Sequence, residues 1–384
     1  MTDRREVLSL IAGVAVGAML APVSVLAADR KILQVYTDGD TNVTDFFANT
    51  VLPAFEAAFP DLTFKLTLTR GVANENVTIA ERTLAALQTK TDPKADYFEE
   101  LEPRSVRGGL EAGLFAKLTP ANVPNLAMAN PASADLDVRL PYRGSQVLIA
   151  YDGAKIPTDK APRTFADLVA WVKANPGRFI YGRPDKGGSG HNFVVRALHE
   201  ANGRDPSLFR RDNFEPAKAE AAFQKAWVLL REIHPYTYGN GAYPAGNTPT
   251  LQLLAQGAVD MISAWSDQAL QALKSEVLPA TVKLLQFSDL ALCGGFAYSA
   301  IPANATHLDG ALKLANFMMS KEMQTAVVRE IGGFPGVTWE SLDPALRKEY
   351  IDIIPVSIPT FPDGDWSKAL NAGWYKNVAT NLSQ

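Results

Sequence analysis

Carboxylates and aromatic rings that follow short apolar runs are the side chains best suited to contact a small molecule. Tyr36, Asp38 and Gly39 follow one such run, and Glu99 follows another. A carboxylate beside a ring face can hold a cation, and it can also accept hydrogen bonds from an amine or a hydroxyl-rich solute. A solvated loop or helix start is the alternative interpretation of these acidic residues.

The segment 187–192 offers a different chemistry, because it combines glycines with a serine. Gly188 and Gly190 would let a ligand approach the backbone closely. Ser189 can cap a following helix, and the free N–H groups of a helix start favour an anionic or carbonyl group. The Lys-Ser/Thr pair of a Walker A loop does not follow, so a nucleotide site is not predicted. A tight turn that only caps the helix is the alternative.

A third group of candidates combines Trp265, Ser266 and Asp267 after another apolar run. A tryptophan face beside a carboxylate suits a cation or a polyhydroxyl ligand, although Trp265 could equally pack in a core. Tyr243 lies in a loop rich in Gly, Pro and Tyr. It would contribute either to an aromatic wall or to an ordinary surface loop.

Catalytic patterns are weaker than these binding patterns. His191 stands two residues from Ser189, and side chains at that spacing on a helix diverge. Glu99 and Glu100 are adjacent, so they point apart, unlike the carboxyl pair that flanks a glycosidic bond. No GxSxG nucleophile elbow occurs. We therefore expect a protein that is not an enzyme, with a secreted hydrolase that uses a serine or a carboxylate as the alternative.

Composition excludes several classes of protein. The 384 residues include 37 Lys and Arg and 41 Asp and Glu, for a net charge of −4, so nucleic-acid binding is not expected. Four His and a single cysteine, Cys293, exclude a Cys/His zinc framework and an intramolecular disulfide. We expect neither a metal nor a cofactor. The length corresponds to about two domains.

Residues 1–28 have the features of a secretory signal peptide. Arg4 and Arg5 precede an uncharged stretch that ends in the small residues Ala27 and Ala28. Cleavage near Ala27 or Ala28 would release the chain into the periplasm, and no cysteine is available there for lipid attachment. An uncleaved membrane anchor is the alternative, and the paired arginines leave open whether export is by the Sec or the twin-arginine route.

Strand and helix patterns alternate along the mature chain and predict an α/β fold. Residues 31–36 and 62–69 have strand patterns, and residues 43–59 between them place apolar side chains at helical spacing. A further helix is expected at 105–112. Such alternation is typical of a mostly parallel sheet covered by helices, where ligands lie beyond the carboxyl ends of the strands. Most of the candidate residues above follow predicted strands, whereas Tyr243 follows a predicted helix.

Five segments, in this order, resemble the periplasmic (extracellular) solute-binding proteins of ABC transporters. The similarity is greatest to the two-lobed type that includes polyamine, ferric-ion and thiamine binders. The segments are ILQVYTDGD, ADYFEELEPRSVRGGLEAGLFAKLTP, LPYRGSQVLIAYDGAKIPTDKAPRTFADLVAW, LLAQGAVDMISAWSDQAL and GGFAYSAIPANATHLDGALKLANFMMSKEMQTAV.

The resemblance implies a type II-like periplasmic-binding-protein fold with two hinge-linked lobes that close over a ligand. Lobe 1 would comprise 29–145 plus 300–384, and lobe 2 would comprise 146–299, with Tyr142 near the first crossing. The expected function is the substrate-binding component of an ABC importer that captures a small polar solute in the interlobe cleft. A monomer that delivers this solute to the permease of the inner membrane is expected, and a protein that feeds a sensor is the alternative.

The charge of the ligand stays open at this stage. The carboxylates of Asp38, Glu99 and Asp267 favour a cation or a polyol, whereas the glycines and serine at 187–189 favour an anion. A zwitterion or a phosphate-bearing amine would satisfy both groups.

Overall fold

The computed structural model of the protein describes residues 30–39, 41–69, 78–133, 136–210, 213–351, 353–354, 359, 362 and 365–382. The predicted signal peptide at 1–28 lies outside these described residues.

Strands and helices alternate along most of the described chain. The strands are β1 (Lys31–Thr37), β2 (Leu62–Leu68), β3 (Tyr97–Glu99), β4 (Leu140–Asp152), β5 (Phe179–Ile180), β6 (Met261–Trp265), β7 (Val282–Leu285), β8 (Gly294–Ser299) and β9 (Phe334–Pro335). The helices are α1 (Thr41–Phe46), α2 (Leu52–Ala58), α3 (Ile79–Thr89), α4 (Phe165–Ala174), α5 (Gly188–Ala201), α6 (Pro216–Ile233), α7 (Asn247–Ala255), α8 (Ser266–Lys274), α9 (Leu308–Met318), α10 (Lys321–Glu330), α11 (Pro344–Glu349) and α12 (Asp365–Asn377).

Two of these elements differ from the sequence expectation. The helix expected at 105–112 is replaced by a short 3-10 turn, Pro103–Ser105, and further turns. Gly108 and Gly113 adopt left-handed backbone angles, with φ of 76° and 66°, in the region that glycine favours. A continuous α-helix does not pass through residues with such angles, so the helix predicted at 105–112 is wrong. The second difference is at 187–190, where the expected loop is instead the first turn of α5, which begins at Gly188.

The strands form two sheets. In the smaller sheet, β1 lies between β2 and β3 and is parallel to both. In the larger sheet, the order is β5-β6-β4-β7, and β8 and β9 also pair with β4. The 13-residue strand β4 is therefore shared: its first half pairs with β8 and β9, and its second half pairs with β6 and β7.

Each half of the molecule has its own hydrophobic core, which gives an α/β fold with two lobes. Leu33, Phe47 and Leu314 belong to one core, and Ile149, Phe193 and Ile262 belong to the other. We call the described residues of 30–145 and 300–354 lobe one, and those of 146–299 and 365–382 lobe two.

The last helix differs from the predicted division, which placed all of 300–384 in the first lobe. Trp366, Leu370 and Trp374 of α12 lie in the same core as Trp227 of α6. Gly373 makes this packing possible, since a Cβ there would lie 2.8 Å from Cζ2 of Trp227. An apolar helix face predicts burial but does not indicate which of two cores receives it.

Candidate ligand-binding cleft

A cleft of about 1010 Å³ lies between the lobes and has walls from both. Its size is at the upper end of the range usual for small-molecule sites. Lobe one contributes residues that follow β1 and β3. Lobe two contributes the starts of α5, α7 and α8, and β8 supplies Phe296 and Tyr298.

The lobe-one wall is acidic, with Asp38, Glu100 and Glu102 in the lining. Because β1 and β3 are parallel neighbours, their carboxyl ends meet at one edge of the sheet, where Thr37 lies opposite Glu99. Glu100 has a φ of 58°, an uncommon angle for a residue other than glycine. Such a left-handed residue ends the strand and changes the direction of the chain at the cleft.

Glu99 lies behind this wall and is almost completely buried. Its carboxyl group accepts hydrogen bonds from the hydroxyl groups of Thr37 and Tyr142. Burial raises the pKa of Glu99 to about 8, and the nearby charge of Glu100 acts in the same direction, whereas Arg143 opposes it. Glu99 therefore ties the ends of β1 and β4 together, mostly as a neutral acid at neutral pH.

Arg143 joins the two walls. Its Nη2 bonds to Glu100 of lobe one, and its Nη1 lies 3.0 Å from Oδ2 of Asp267 on lobe two. Its Nε donates to the hydroxyl oxygen of Tyr142 at 3.1 Å. The other oxygen of Asp267 accepts a hydrogen bond of 2.7 Å from Ser145. A single guanidinium thus shares its charge between carboxylates of both lobes.

Three helix starts form the lobe-two wall, and their polar groups are partly used within the protein. The side-chain oxygen of Asn247 accepts hydrogen bonds from the backbone N–H of Ser189 at 3.1 Å and from its hydroxyl at 2.9 Å. The hydroxyl of Ser266 bonds to Ser145 and accepts the N–H of Gln146, both at 3.2 Å. Ser189 therefore links the starts of α5 and α7, and Ser266 links the start of α8 to β4.

Trp265 ends β6 and lines the cleft. Its indole packs against Gly188, where a Cβ would lie 2.8 Å from both Cζ2 and Nε1. A glycine is thus required at the start of α5 for the ring to take this position. The indole is half-buried, so it keeps surface available to a ligand.

The predicted site residues divide into three groups. Four line the cleft: Asp38, Gly188, Trp265 and Asp267. Five lie behind its walls and support them: Gly39, Glu99, Tyr142, Ser189 and Ser266. Three lie elsewhere: Tyr36, Gly190 and Tyr243.

The three residues away from the cleft have clear structural roles. The hydroxyl of Tyr36 donates to the carbonyl of Lys94 at 3.2 Å. Gly190 allows α5 to approach the backbone at Gly182, which a side chain would block. Tyr243 differs from the expectation of an aromatic wall, because its ring packs in the lobe-two core 4.9 Å from that of Trp374.

Sequence reasoning left several lining residues out of the predicted site. Glu100 and Arg143 line the cleft, whereas the sequence predicts their neighbours Glu99 and Tyr142. Asn42 of α1, Phe296 and Tyr298 also line the cleft. Residues 295–301 have a strand pattern, but the pairing of β8 with β4 at the cleft base depends on contacts far apart in the chain.

The nucleophile–base arrangement considered for Ser189 and His191 is not formed. Ser189 donates to Asn247, as described above. The Nδ1 atom of His191 lies 2.9 Å from the side-chain oxygen of Asn371, and its Nε2 lies 3.3 Å from the hydroxyl of Ser367. Burial lowers the pKa of His191. Both side chains are thus engaged in packing α5 against its neighbours.

Within the described ranges, no three or more His, Cys, Asp or Glu side chains are grouped so that they could hold a metal ion. Among the helices of those same ranges, none combines the length and apolar character needed to cross a membrane.

Residues 51–352 match the family model described as bacterial extracellular solute-binding protein. The match covers more than half of the chain and confirms the predicted family, together with the predicted role as a solute-binding protein. Members of this family bind solutes, and the name describes no catalytic activity.

Solved structures support the same fold. The spermidine/putrescine ABC transporter substrate-binding protein from Streptococcus pneumoniae is similar with a TM-score of 0.65 and 15% identity, over 91% of this chain and 98% of that chain. A periplasmic thiamin binding protein is similar with a TM-score of 0.57 and 18% identity, over 91% and 96% of the two chains. These likenesses confirm the predicted two-lobed α/β fold class.

A curated relative from Escherichia coli (strain K12), Protein YnjB, is 26% identical over 252 residues, which is 63% of this chain. The chain spans 62% of the length of that relative.

Proposed function

The chain belongs to the family of bacterial extracellular solute-binding proteins, and we propose that it captures a small polar solute with a cationic group in the cleft between its lobes. The observation that carries this proposal is the group of carboxylates that lines the cleft beside the ring of Trp265. The solute would be delivered to an ABC permease of the inner membrane.

The charges around the cleft favour a cation. Among the described lining residues, the carboxylates are Asp38, Glu100, Glu102 and Asp267, and the cations are Arg143 and Lys186. Lys186 is paired with Asp185 at 2.9 Å and Glu102 is paired with Arg139, so the excess rests on Asp38, Glu100 and Asp267. In a partly enclosed site such an excess of negative charge raises the local concentration of cations.

The aromatic ring adds selectivity to this charge. A cation over a tryptophan face gains about 0.5–1 kcal/mol at an exposed site and more when water is excluded. Trp265 lines the cleft and is half-buried, with Gly188 against its indole on the α5 side. A solute with a cationic nitrogen would therefore contact carboxylates of lobe one and the ring of lobe two.

The helix starts support an anionic ligand less strongly. Asn247 already accepts from both the N–H and the hydroxyl of Ser189. Asp267 lies in the first turn of α8, where its own carboxylate interacts favourably with the helix dipole. Two of the three helix starts thus carry partners within the protein.

Delivery of the solute requires opening and closing of the cleft, for which the shared strands provide a hinge. The N–H of Val147 on β4 donates to the carbonyl of Cys293 at 3.1 Å, and the amide of Asn192 bonds to both backbone groups of Cys293 at 2.8 Å. We place the hinge here, with the lobe boundaries defined above. Hinges of this kind change the angles of a few residues at strand ends.

The cellular setting is part of the proposal. An N-terminal signal peptide cleaved near Ala27 or Ala28 would export the protein to the periplasm, where it acts as a monomer. Gel filtration of the mature protein would test the monomer, and N-terminal sequencing of the exported protein would test the cleavage site.

Calorimetric titration of the mature protein at pH 7 tests the choice of ligand, with panels of cationic, anionic and neutral polar solutes. We expect cations to bind. Trp265→Ala and Asp38→Asn should each weaken binding by about tenfold, which corresponds to 1.4 kcal/mol. The matched control is Asp159→Asn, a carboxylate that is 75% exposed and pairs only loosely with Lys160 at 3.8 Å. Binding of anions alone, unaffected by either cleft variant, would overturn the proposal.

A further inference from the structure

We infer that Arg143 limits the ligand to a single cationic group, because its guanidinium already lies between the cleft carboxylates of Glu100 and Asp267. This inference rests on the proposed function, since it concerns the charge of the solute bound in the same cleft. It assigns a specificity-determining role to a residue of the protein rather than a further site.

The position of Arg143 is fixed from several directions. The guanidinium bonds to Glu100 and to Asp267, and its Nε donates to Tyr142. Only 8% of the side chain is exposed, although the residue lines the cleft. Arg143 is therefore a buried cation that is held in place by three side chains.

The backbone of β4 explains why this side chain reaches the cleft. The pairing of β4 with β8 shifts register between Pro141 and Arg143. An irregularity of this kind inserts a residue into one strand and changes the direction of the following side chain. Arg143 consequently reaches carboxylates that follow β3 in lobe one and begin α8 in lobe two.

Without this guanidinium, two carboxylates from opposite walls would face the same region of the cleft. Such a pair is the arrangement expected to hold a second ammonium group of a diamine. With the guanidinium present, that ammonium would meet a like charge at short range and would have to displace Arg143 from both partners. A solute with one cationic group avoids this conflict and can use Asp38 and the ring of Trp265.

A matched pair of probes, pentylamine and 1,5-diaminopentane, tests the inference, because the two differ in the second ammonium. We would measure both dissociation constants by calorimetry for the wild type and for Arg143→Met. The wild type should prefer the monoamine. In Arg143→Met the ratio of the two constants should shift towards the diamine by about tenfold or more.

Two further variants serve as controls. One should keep the preference for the monoamine, and the other should increase it. Arg143→Lys keeps the charge and should keep the preference for the monoamine. Glu100→Gln keeps Arg143 but removes one of its carboxylates, so the preference for the monoamine should increase. Circular dichroism would establish that each variant is folded.

The outcomes separate the two proposals. If the wild type binds cations and the folded Arg143→Met shows an unchanged ratio, the role of Arg143 is wrong and the proposed function stands. If the wild type binds neither amine nor any other cation, the proposed cationic ligand is wrong, and this inference falls with it.

Discussion

The two walls of the cleft are built on different principles. Lobe one presents charged side chains at the ends of parallel strands, as Asp38 and Glu100 show. Lobe two presents helix starts and a ring, with Gly188 shaped around Trp265. A side chain at a strand end can be exchanged without moving the backbone, whereas a glycine that contacts a ring fixes the backbone itself. Lobe one therefore contributes most of the carboxylates of the cleft, and lobe two contributes its aromatic surface.

The core of lobe two, unlike that of lobe one, includes the helix α12, and the first prediction concerns this helix. Trp374 of α12 is completely buried in the lobe-two core, and its indole N–H donates to the hydroxyl of Tyr181 at 3.1 Å. Trp374→Ala should lower the free energy of unfolding by about 3–5 kcal/mol, the usual cost of deleting a large buried aromatic ring. Urea unfolding would measure this loss.

The control lies on the same helix. Lys368 is exposed, so Lys368→Ala should change the free energy of unfolding by less than about 0.5 kcal/mol. A small effect of Trp374→Ala would mean that α12 does not belong to the lobe-two core, and the division of the lobes would have to be redrawn.

The case of α12 illustrates what the sequence could predict. Strand and helix patterns are local, so most elements and the strand ends near Asp38 and Asp267 were predictable. The assignment of α12 and of Tyr243 depends on which core offers a matching space, and this is decided by residues far away in the chain. The contacts of Arg143 are of the same kind, because Asp267 lies 124 residues away.

Glu99 and Glu100 show a finer limit of sequence reasoning. Both follow the same apolar run, yet Glu99 is buried and Glu100 lines the cleft. Successive side chains of a strand point to opposite faces, so the choice depends on the residue at which β3 ends. The left-handed angle of Glu100 marks that end, and strand propensity alone does not predict it.

The second prediction uses the buried acid of lobe one. Because burial raises the pKa of Glu99 to about 8, the folded protein holds a proton that the unfolded chain releases near pH 4.5. The free energy of unfolding should therefore decrease as the pH rises from about 4.5 to 8, by at most about 1.4 kcal/mol per pH unit. Glu99→Gln, which resembles the neutral acid, should remove this slope.

Unfolding in urea at a series of pH values would check the slope, with Asp159→Asn as the exposed control. If Glu99→Gln keeps the pH dependence of the wild type, the carboxyl group is ionised in the folded state, and its contacts with Thr37 and Tyr142 stabilise the charged form instead.

The third prediction concerns lobe two and has the opposite sign. His199 of α5 is completely buried against Phe209, and neither ring nitrogen has a hydrogen-bond partner. Burial lowers its pKa to about 4, with the nearby charge of Arg196 acting in the same direction and Asp205 opposing it. The unfolded chain then binds a proton that the folded protein excludes, so stability should fall as the pH decreases from about 6.5 to 4.

His199→Phe should flatten this acid limb, since a phenyl ring keeps the stacking on Phe209 and cannot be protonated. The effect should be the smallest of the three, because the pKa of His199 shifts from 6.5 to about 4, which is less than the shift of Glu99 from 4.5 to about 8. Comparison with Glu99→Gln would separate the pH dependence of unfolding that comes from lobe one from that of lobe two. An acid limb that survives in His199→Phe would contradict this assignment and would place the loss of stability on carboxylates whose pKa is lowered in the folded protein, such as Asp92 of lobe one and Asp260 of lobe two.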